Sequence, residues 1–262
     1  MRILAIPSKG RAGKLVSMKK IVPELAGRLP VYLVVEPQEE EAYRTAYPDM
    51  NLLVLPENDK GIGYSRGYMQ AHWHEDTVAM IDDDINQFAR REGLTKGGFP
   101  KLVHADPYEA LSALFDAAEK HGYAGMSAQH SNFKMKPEGT TRIWNVAAFS
   151  PALLEKGVGY DREAFLFEDF DLQAQALVAG FRTPTIVDYA FNTGEQIGAR
   201  EGGCQSWDRV KLSESMSQYM LGKWGSDIVR LRANPRSGKT EPQFRWKKLC
   251  QIGAQAGEYS TS

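Results

Sequence analysis

Three adjacent carboxylates, Asp82-Asp83-Asp84, close the apolar run Thr77-Val78-Ala79-Met80-Ile81. Carboxylates this close repel one another and need a positive partner or water. Their oxygens suit hard divalent cations, and Mg²⁺ usually binds through one or two carboxylates plus substrate phosphates. The triplet is therefore a candidate metal site of an enzyme acting on a phosphorylated donor; a solvated acidic turn is the alternative. A second element, Asn58-Asp59-Lys60-Gly61-Ile62-Gly63-Tyr64-Ser65-Arg66, sets glycines and an arginine where a strand passes into a helix. Free backbone N–H groups at such a place suit a diphosphate. The spacing is not the dinucleotide fingerprint, because Arg66 stands where its last glycine belongs, and a glycine-rich turn explains the element equally well. A third, Phe165-Leu166-Phe167-Glu168-Asp169-Phe170-Asp171-Leu172, places acids among aromatics at a helix start. The helix dipole favours acids there. A carboxylate pressed among phenyl rings also gains the basicity that a general base needs.

The elements around these residues alternate. Strands are expected at Ile3 to Ile6, Val31 to Val35, Leu52 to Leu55 and Thr77 to Ile81, with helices at Leu15 to Leu25, Glu39 to Ala46 and Ile62 to Trp73. Near-continuous apolar strands separated by helices indicate an α/β fold, a mostly parallel sheet with helices on both faces. Ligands bind beyond the carboxyl ends of such strands. Pro7 to Arg11, Glu36, Asn58 and Asp82 to Asp84 all follow strands, so they are expected at one edge. Further on, Pro107 to His121 reads as a helix, Tyr123 to Met126 and Arg142 to Phe149 as strands, and Ser150 as the cap of a helix starting at Pro151. Asp169 to Ala179 is a helix stopped by Gly180 in the left-handed conformation, and Pro184 to Tyr189 a late strand.

From about Gly194 the composition changes. Glycines cluster at Gly194, Gly198, Gly202 and Gly203, Ser206 to Leu221 reads as helical, and Leu221 to Cys250 is strongly basic and carries Trp224 and Trp246. This gives a catalytic domain over 1–193, with a donor half at 1–90 and an acceptor half at 91–193. A basic helical C-terminal extension over 194–262 packs on the same domain. The 262 residues are ample for a sizeable core, and the net charge of −1 gives no global pull toward nucleic acid or membrane. Cys204 and Cys250 form no disulfide or metal framework and fit a reducing setting. The start is too soon broken by Pro7 for a signal peptide and no apolar run spans a bilayer, so the expectation is a cytoplasmic protein. Ala233 to Thr240 loosely fits a phosphate loop, but Arg230 and Arg232 interrupt the strand it needs. His72 and His74 diverge on a helix and make a poor ligand pair.

Taken together, the motifs resemble those of GT-A glycosyltransferases. Pro7 and Arg11 after the first strand, Asn58/Gly61/Ser65/Arg66, the Asp82/Asp84 pair and Glu168-Asp169 follow that family's order and approximate spacing, from the N-terminus to about residue 190. Ile6-Pro7-Ser8-Lys9-Gly10-Arg11, Gly61 to Arg66, Met80 to Ile85 and Gly202-Gly203 resemble a narrower group, the glycosyltransferases associated with TET/JBP-type DNA base dioxygenases. Many of these are viral, and the group is thought to glycosylate hydroxymethylated pyrimidines such as hydroxymethylcytosine in DNA; a bacteriophage protein would work in the host cytoplasm.

The resemblance implies a UDP-sugar donor lying across the strand ends, with Pro7, Ser8, Arg11, Glu36, Asn58, Gly61, Arg66, Asp82 and Asp83 around it. Asp84 and Asp82 would hold Mn²⁺ or Mg²⁺, with Asp83 as an alternative ligand because adjacent acids are not ranked by sequence. Asp169 would take the proton of the acceptor hydroxyl in an inverting displacement. Two departures stand out: Gly67 replaces a frequent Asn, and the last histidine is His130, which leaves Asp188, Asn192 or water for a late ligand position. A DNA acceptor would meet the basic tail, with Trp224, Phe244 or Trp246 stacking on bases and Lys9, Lys14, Lys134, Lys136 and Arg142 extending the surface; a solvated helical appendage whose tryptophans pack as core is the alternative. His130, Trp144 and Asn145 are possible substrate contacts. The competing readings are transfer to a small molecule, protein or glycan, a metal-dependent nucleotidyltransferase or nuclease, and a non-catalytic nucleic-acid-binding protein. No oligomeric state follows from the sequence.

Overall fold

β-branched and aliphatic runs that alternate between two apolar faces must be covered on both sides. In the computed structural model, which describes residues 1–94, 100–129, 145–193, 208–234 and 238–255, they form one nine-stranded sheet. Its strands are β1 (Arg2–Pro7), β2 (Val31–Val35), β3 (Asn51–Val54), β4 (Thr77–Ile81), β5 (Gln87–Leu94), β6 (Pro100–His104), β7 (Tyr123–Ala128), β8 (Val146–Phe149) and β9 (Thr185–Asn192), in the order β3-β2-β1-β4-β8-β7-β9-β5-β6. The first four are parallel. Beyond them the sheet is mixed: β8 runs antiparallel to β4 and β7, β7 parallel to β9, and β5 antiparallel to β9 and β6.

Leu4, Ile6, Leu33 and Ile81 face one layer, with Leu15, Tyr43, Leu111 and Phe115, from α3 (Glu40–Ala46), α5 (Pro107–His121) and the segment before α1 (Val16–Lys20). Ile3, Ala5, Val78 and Met80 face the other, against Met69 of α4 (Gly61–His72) and Leu172 and Ala176 of α7 (Glu168–Val178). Each such aliphatic side chain buried in full contributes roughly 1.5–3 kcal/mol. The expected helix from Leu15 to Leu25 is broken into α1 and α2 (Val22–Leu25), because Pro23 lacks the N–H that would continue the ladder.

Two strands escaped the sequence reading. β5 and β6 carry Arg90, Arg91, Glu92 and Lys101, and only Phe88 and Ala89 of β5 are buried, so apolar alternation is lost. The expected Ser150 cap is also absent: its hydroxyl faces the Gly122 carbonyl at 3.4 Å, and α6 (Ala152–Glu155) has no side-chain cap. Beyond the sheet, α8 (Arg209–Trp224), the antiparallel pair β10 (Val229–Ala233) and β11 (Thr240–Phe244), and α9 (Trp246–Gln255) form a separate layer. The expected helical extension thus has its helices, with an unexpected hairpin between them. Ala233 to Thr240 bridges two strands rather than strand and helix, with Asn234 and Lys239 bonded backbone to backbone at 2.8 Å, which removes the phosphate-loop reading. Among the described residues no helix is long and apolar enough to cross a membrane.

Candidate active site

Because β1 to β4 are parallel, their carboxyl ends share one edge, and β8, running the other way, begins there. The side chains following these strands are joined by hydrogen bonds. At the end of β2, Glu36 is buried and accepts bonds from Lys9 Nζ at 2.9 Å and Gln38 Nε2 at 2.7 Å. Lys9 also pairs with Asp59, which sits at a φ of 59°. Asn58 Oδ1 accepts from the Gln38 N–H at 3.0 Å, and Glu39 Oε1 from the Gly10 N–H at 2.6 Å. Lys9, expected to extend a DNA surface, instead ties the ends of β1, β2 and β3 together.

The three aspartates are divided by their surroundings. Asp83 is buried; it accepts from the Ser8 hydroxyl at 2.5 Å and pairs with Arg11, while Ser8 also bonds Tyr43 Oη at 2.8 Å. Its oxygens thus face inward, toward the loop after β1. Asp82 points the other way. Asn145 donates its side-chain amide to Asp82 Oδ2, and the Asn145 carbonyl accepts from the Asp82 N–H at 3.0 Å, a two-point hold from a residue at a φ of 47°. Ser17, fully buried, bonds the Asp82 and Ile85 carbonyls at 2.9 and 3.1 Å and fixes the turn itself. Asp82 keeps 31% of its side-chain surface exposed although protein atoms crowd it. That crowding, more than any other influence, pushes its carboxyl up to about 6; Asp84 and Asp83 add to the rise, and Arg66 and Asn145 oppose it.

Arg66 connects this strand end to α7. It is buried, lies 2.8 Å from Glu168 Oε1 and 3.5 Å from Asp82 Oδ1, and stands over the Tyr160 ring at 5.9 Å. Burial alone would lower its pKa, but Glu168, Tyr160, Asp82 and Asp169 hold it well above the ordinary arginine range. Burial also raises the Glu168 carboxyl, against the pull of Arg66. Asp169 is buried beside it and raises the Tyr123 and Tyr160 phenols electrostatically, in both cases behind the larger effect of burial. Phe167, at a φ of 66°, starts the helix so that both acids enter its first turn.

Gly61, Gly63 and Gly67 line α4 where residues 160–165 cross it. A Cβ at Gly63 would lie 2.2 Å from the Ala164 carbonyl oxygen, and one at Gly61 2.7 Å from the Phe165 ring. The close approach these glycines permit is to the protein's own chain. It carries α4, with Arg66, against the segment leading into α7. Asp188 lies mid-strand on β9, next to Arg91 in the electrostatics, and Asn192 ends a strand three places from β4. His130, Lys134, Lys136, Arg142, Trp144, Cys204 and the glycines at 194, 198, 202 and 203 lie outside the described residues.

In the C-terminal layer Phe244 is core, and Trp224 and Trp246 are half-buried against it. Phe244 stacks on Trp246 at 5.0 Å and meets Phe170 and Trp224 edge-on at 5.9 and 6.1 Å. Trp224 Nε1 donates to the fully buried Asp171 at 2.8 Å. Lys223 bridges Asp171 at 2.8 Å and Asp161 at 2.6 Å. Of the two expectations, base stacking and core packing, the ring contacts follow the second: they hold the layer to α7.

Among the described residues no group of three or more His, Cys, Asp or Glu converges as a metal site. Asp82 and the half-buried Asp84 offer oxygen donors at the strand end. That set suits Mg²⁺ or Mn²⁺ when donor phosphates complete the shell, and a cation would restore charge to the raised Asp82 carboxyl. The signal for Asn145 and Ser17 in the sequence was faint, since neither follows a strand.

The S. aureus TarS 1-349 structure in complex with UDP-GlcNAc is similar in fold, with a TM-score of 0.53 and 13% identity over 87% of this chain and 67% of that one. TarS 1-349 in complex with UDP gives 0.46 and 15% over 73% and 59%. The chain thus spans 59 to 67% of the length of these TarS structures. No curated protein sequence matches it. A model of the TET-associated glycosyltransferases matches residues 3–202, a span that holds every acid and arginine of the strand-end network. The chain belongs to the TET-associated glycosyltransferase family.

Proposed function

We propose that the protein transfers a sugar from a UDP-sugar to the hydroxyl of a 5-hydroxymethylpyrimidine in DNA, with inversion and with Mn²⁺ or Mg²⁺ as cofactor. The observation that carries this reading is the family match over residues 3–202. The UDP-GlcNAc bound to the TarS 1-349 structure of similar fold supports a uridine nucleotide as donor.

In this reading residues 1–90 hold the donor, 91–193 meet the acceptor and 194–262 are appended. Glu36, backed by Lys9, Gln38 and Asn58, forms the nucleotide end. Asp84 and Asp82 would hold the cation, which when bound stabilises charge on the departing diphosphate. Arg66 acts from behind: buried between Asp82 and Glu168, it fixes the strand end relative to α7. The proton falls to Asp169, the second acid of the Glu168-Asp169 element, buried in the first turn of α7. The acceptor oxygen forms its bond to the anomeric carbon as the bond from that carbon to the diphosphate breaks. The electron pair leaves with UDP, and the hydroxyl proton goes to Asp169.

The test is mass spectrometry of nucleosides from hydroxymethylated DNA incubated with a panel of UDP-sugars, with and without Mn²⁺. The expected result is a sugar mass added to the hydroxymethylated base with stoichiometric UDP release. Asp169→Asn should keep UDP-sugar binding and lose on the order of 10²–10⁴-fold in transfer. Near-wild-type turnover would remove Asp169 from the role. Pyrophosphate release or strand cleavage would instead identify a nucleotidyltransferase or nuclease.

A further inference from the structure

We infer that the outer face of the β10–β11 ribbon, with the first turn of α9, is a docking surface for the sugar-phosphate backbone of duplex DNA. The inference rests on the DNA-acceptor reading and adds where and how the polymer is held.

The ribbon divides its residues by parity. Val229 and Phe244 are buried partners on the inner face; Arg230 opposite Gln243 and Arg232 opposite Glu241 lie on the other. Arg230 and Arg232 are exposed. The ladder continues by one bond, from the Arg245 N–H to the Ile228 carbonyl at 2.9 Å, which brings Arg245 to the end of the same ribbon. Lys247 is exposed and follows directly in α9. Arg230, Arg232, Arg245 and Lys247 form no ion pair among the described residues, and Lys248 meets only the 85%-exposed Asp227 at 3.3 Å.

This charge is kept against local preference. Cations in the first turn of a helix oppose its dipole, and α9 has no acid there to compensate. Like charges along one ribbon face also repel. Glu241 is the one acid on that face among the described residues. The cost is offset if an extended anion covers the face.

The surface is also firmly joined to the candidate base. Trp246 packs edge-on against Phe170 at 6.0 Å, the next residue after Asp169. A Cβ at Gly253 would lie 2.0 Å from the Leu177 carbonyl oxygen, so α9 and α7 cross at backbone contact. A polymer held on the ribbon is thereby set in fixed register with the start of α7. With Phe244 buried and the half-buried Trp224 and Trp246 packed against it, the exposed side chains of the face are charged or polar, so it contacts phosphates and carries no base readout. The family match ends at residue 202, so the surface belongs to a part of the chain outside the matched span.

The test is fluorescence anisotropy with a labelled, unmodified DNA duplex. Wild-type affinity should fall steeply with salt: about 0.9 log units per log unit of salt for each phosphate contacted, or on the order of 40-fold between about 50 and 200 mM for three contacts. R230E/R232E/K247E should weaken binding at least about 10-fold at the lower salt and flatten the slope. It should keep the wild-type unfolding midpoint and raise KM for hydroxymethylated DNA more than it lowers kcat. K19E/K20E, on α1, is the matched control and should bind as wild type does. Unchanged affinity in the triple variant, or salt-insensitive binding by the wild type, overturns the inference. Wild-type binding lost in the variant, with no sugar transfer by either protein, would support the surface and sink the DNA-acceptor reading. Undiminished binding and transfer by the variant would do the reverse.

Discussion

The strand-end edge and the C-terminal layer are built from the same residue types put to opposite uses. At the strand ends the charges are inside: Arg66, Asp83, Glu168 and Asp169 are buried, and Arg66 and Asp83 are held by paired or bonded partners. In the C-terminal layer the rings pack together and the charges stay out: Phe244 and Trp246 pack on Phe170 and Trp224 on Phe244, while Arg230, Arg232 and Lys247 face solvent. Buried charge is costly and tolerated where geometry must be fixed. Exposed charge is cheap and available to a partner. The difference teaches that the arginine of the glycine-rich element is a strut, and that a basic, Trp-containing tail need not use its tryptophans for recognition.

The sharpest way to break this contrast is to remove the strut. Arg66→Ala leaves Glu168 buried without its cation and should destabilise the fold by about 3–5 kcal/mol, measured by urea unfolding. A loss under about 1 kcal/mol would mean that Arg66 is not locked as described. Gly63→Ala tests the crossing that delivers Arg66. Its Cβ meets a backbone oxygen that cannot swing away, so a loss of about 1–3 kcal/mol in the same assay is expected. Trp224→Phe keeps the ring in the C-terminal core but strips a hydrogen bond from the fully buried Asp171. It should cost about 1–3 kcal/mol; a neutral result would show that Trp224 serves a surface after all.

The smallest effect is in pH. The Asp82 carboxyl titrates at about 6 in the folded protein, above its ordinary 3.8, so the folded state holds a proton that the unfolded chain releases. Its contribution to stability is greatest below that lower value and is lost as pH rises toward 6. Without divalent cation, the wild type should therefore lose stability relative to Asp82→Asn across this window. A flat difference would show that Asp82 is not crowded as the geometry implies.

Much of the strand-end edge was legible because it depends on local order. Four apolar runs with helices between them dictate parallel strands, and parallel strands bring whatever follows them to one edge. Pro7 to Arg11, Glu36, Asn58 and Asp82 to Asp84 meet there for that reason. β5 and β6 were hidden because charged side chains on an outer part of the sheet erase the alternation that marks a strand. The hairpin was partly legible: Arg230 and Arg232 alternate with Val229 and Leu231 as in a half-buried strand, but the run is only five residues long.

The sequence alone determined the parallel core, the common edge and the family, since each follows from short-range pattern or motif order. Only the tertiary structure decided which partner each charge takes. Asp83 turns inward to Ser8 and Arg11, Asp82 is held by Asn145 from 63 residues away, and Arg66 is joined to Glu168 across 102. Neighbouring aspartates are chemically identical in sequence. They become different only when a fold sets a serine beside one and an asparagine beside the other.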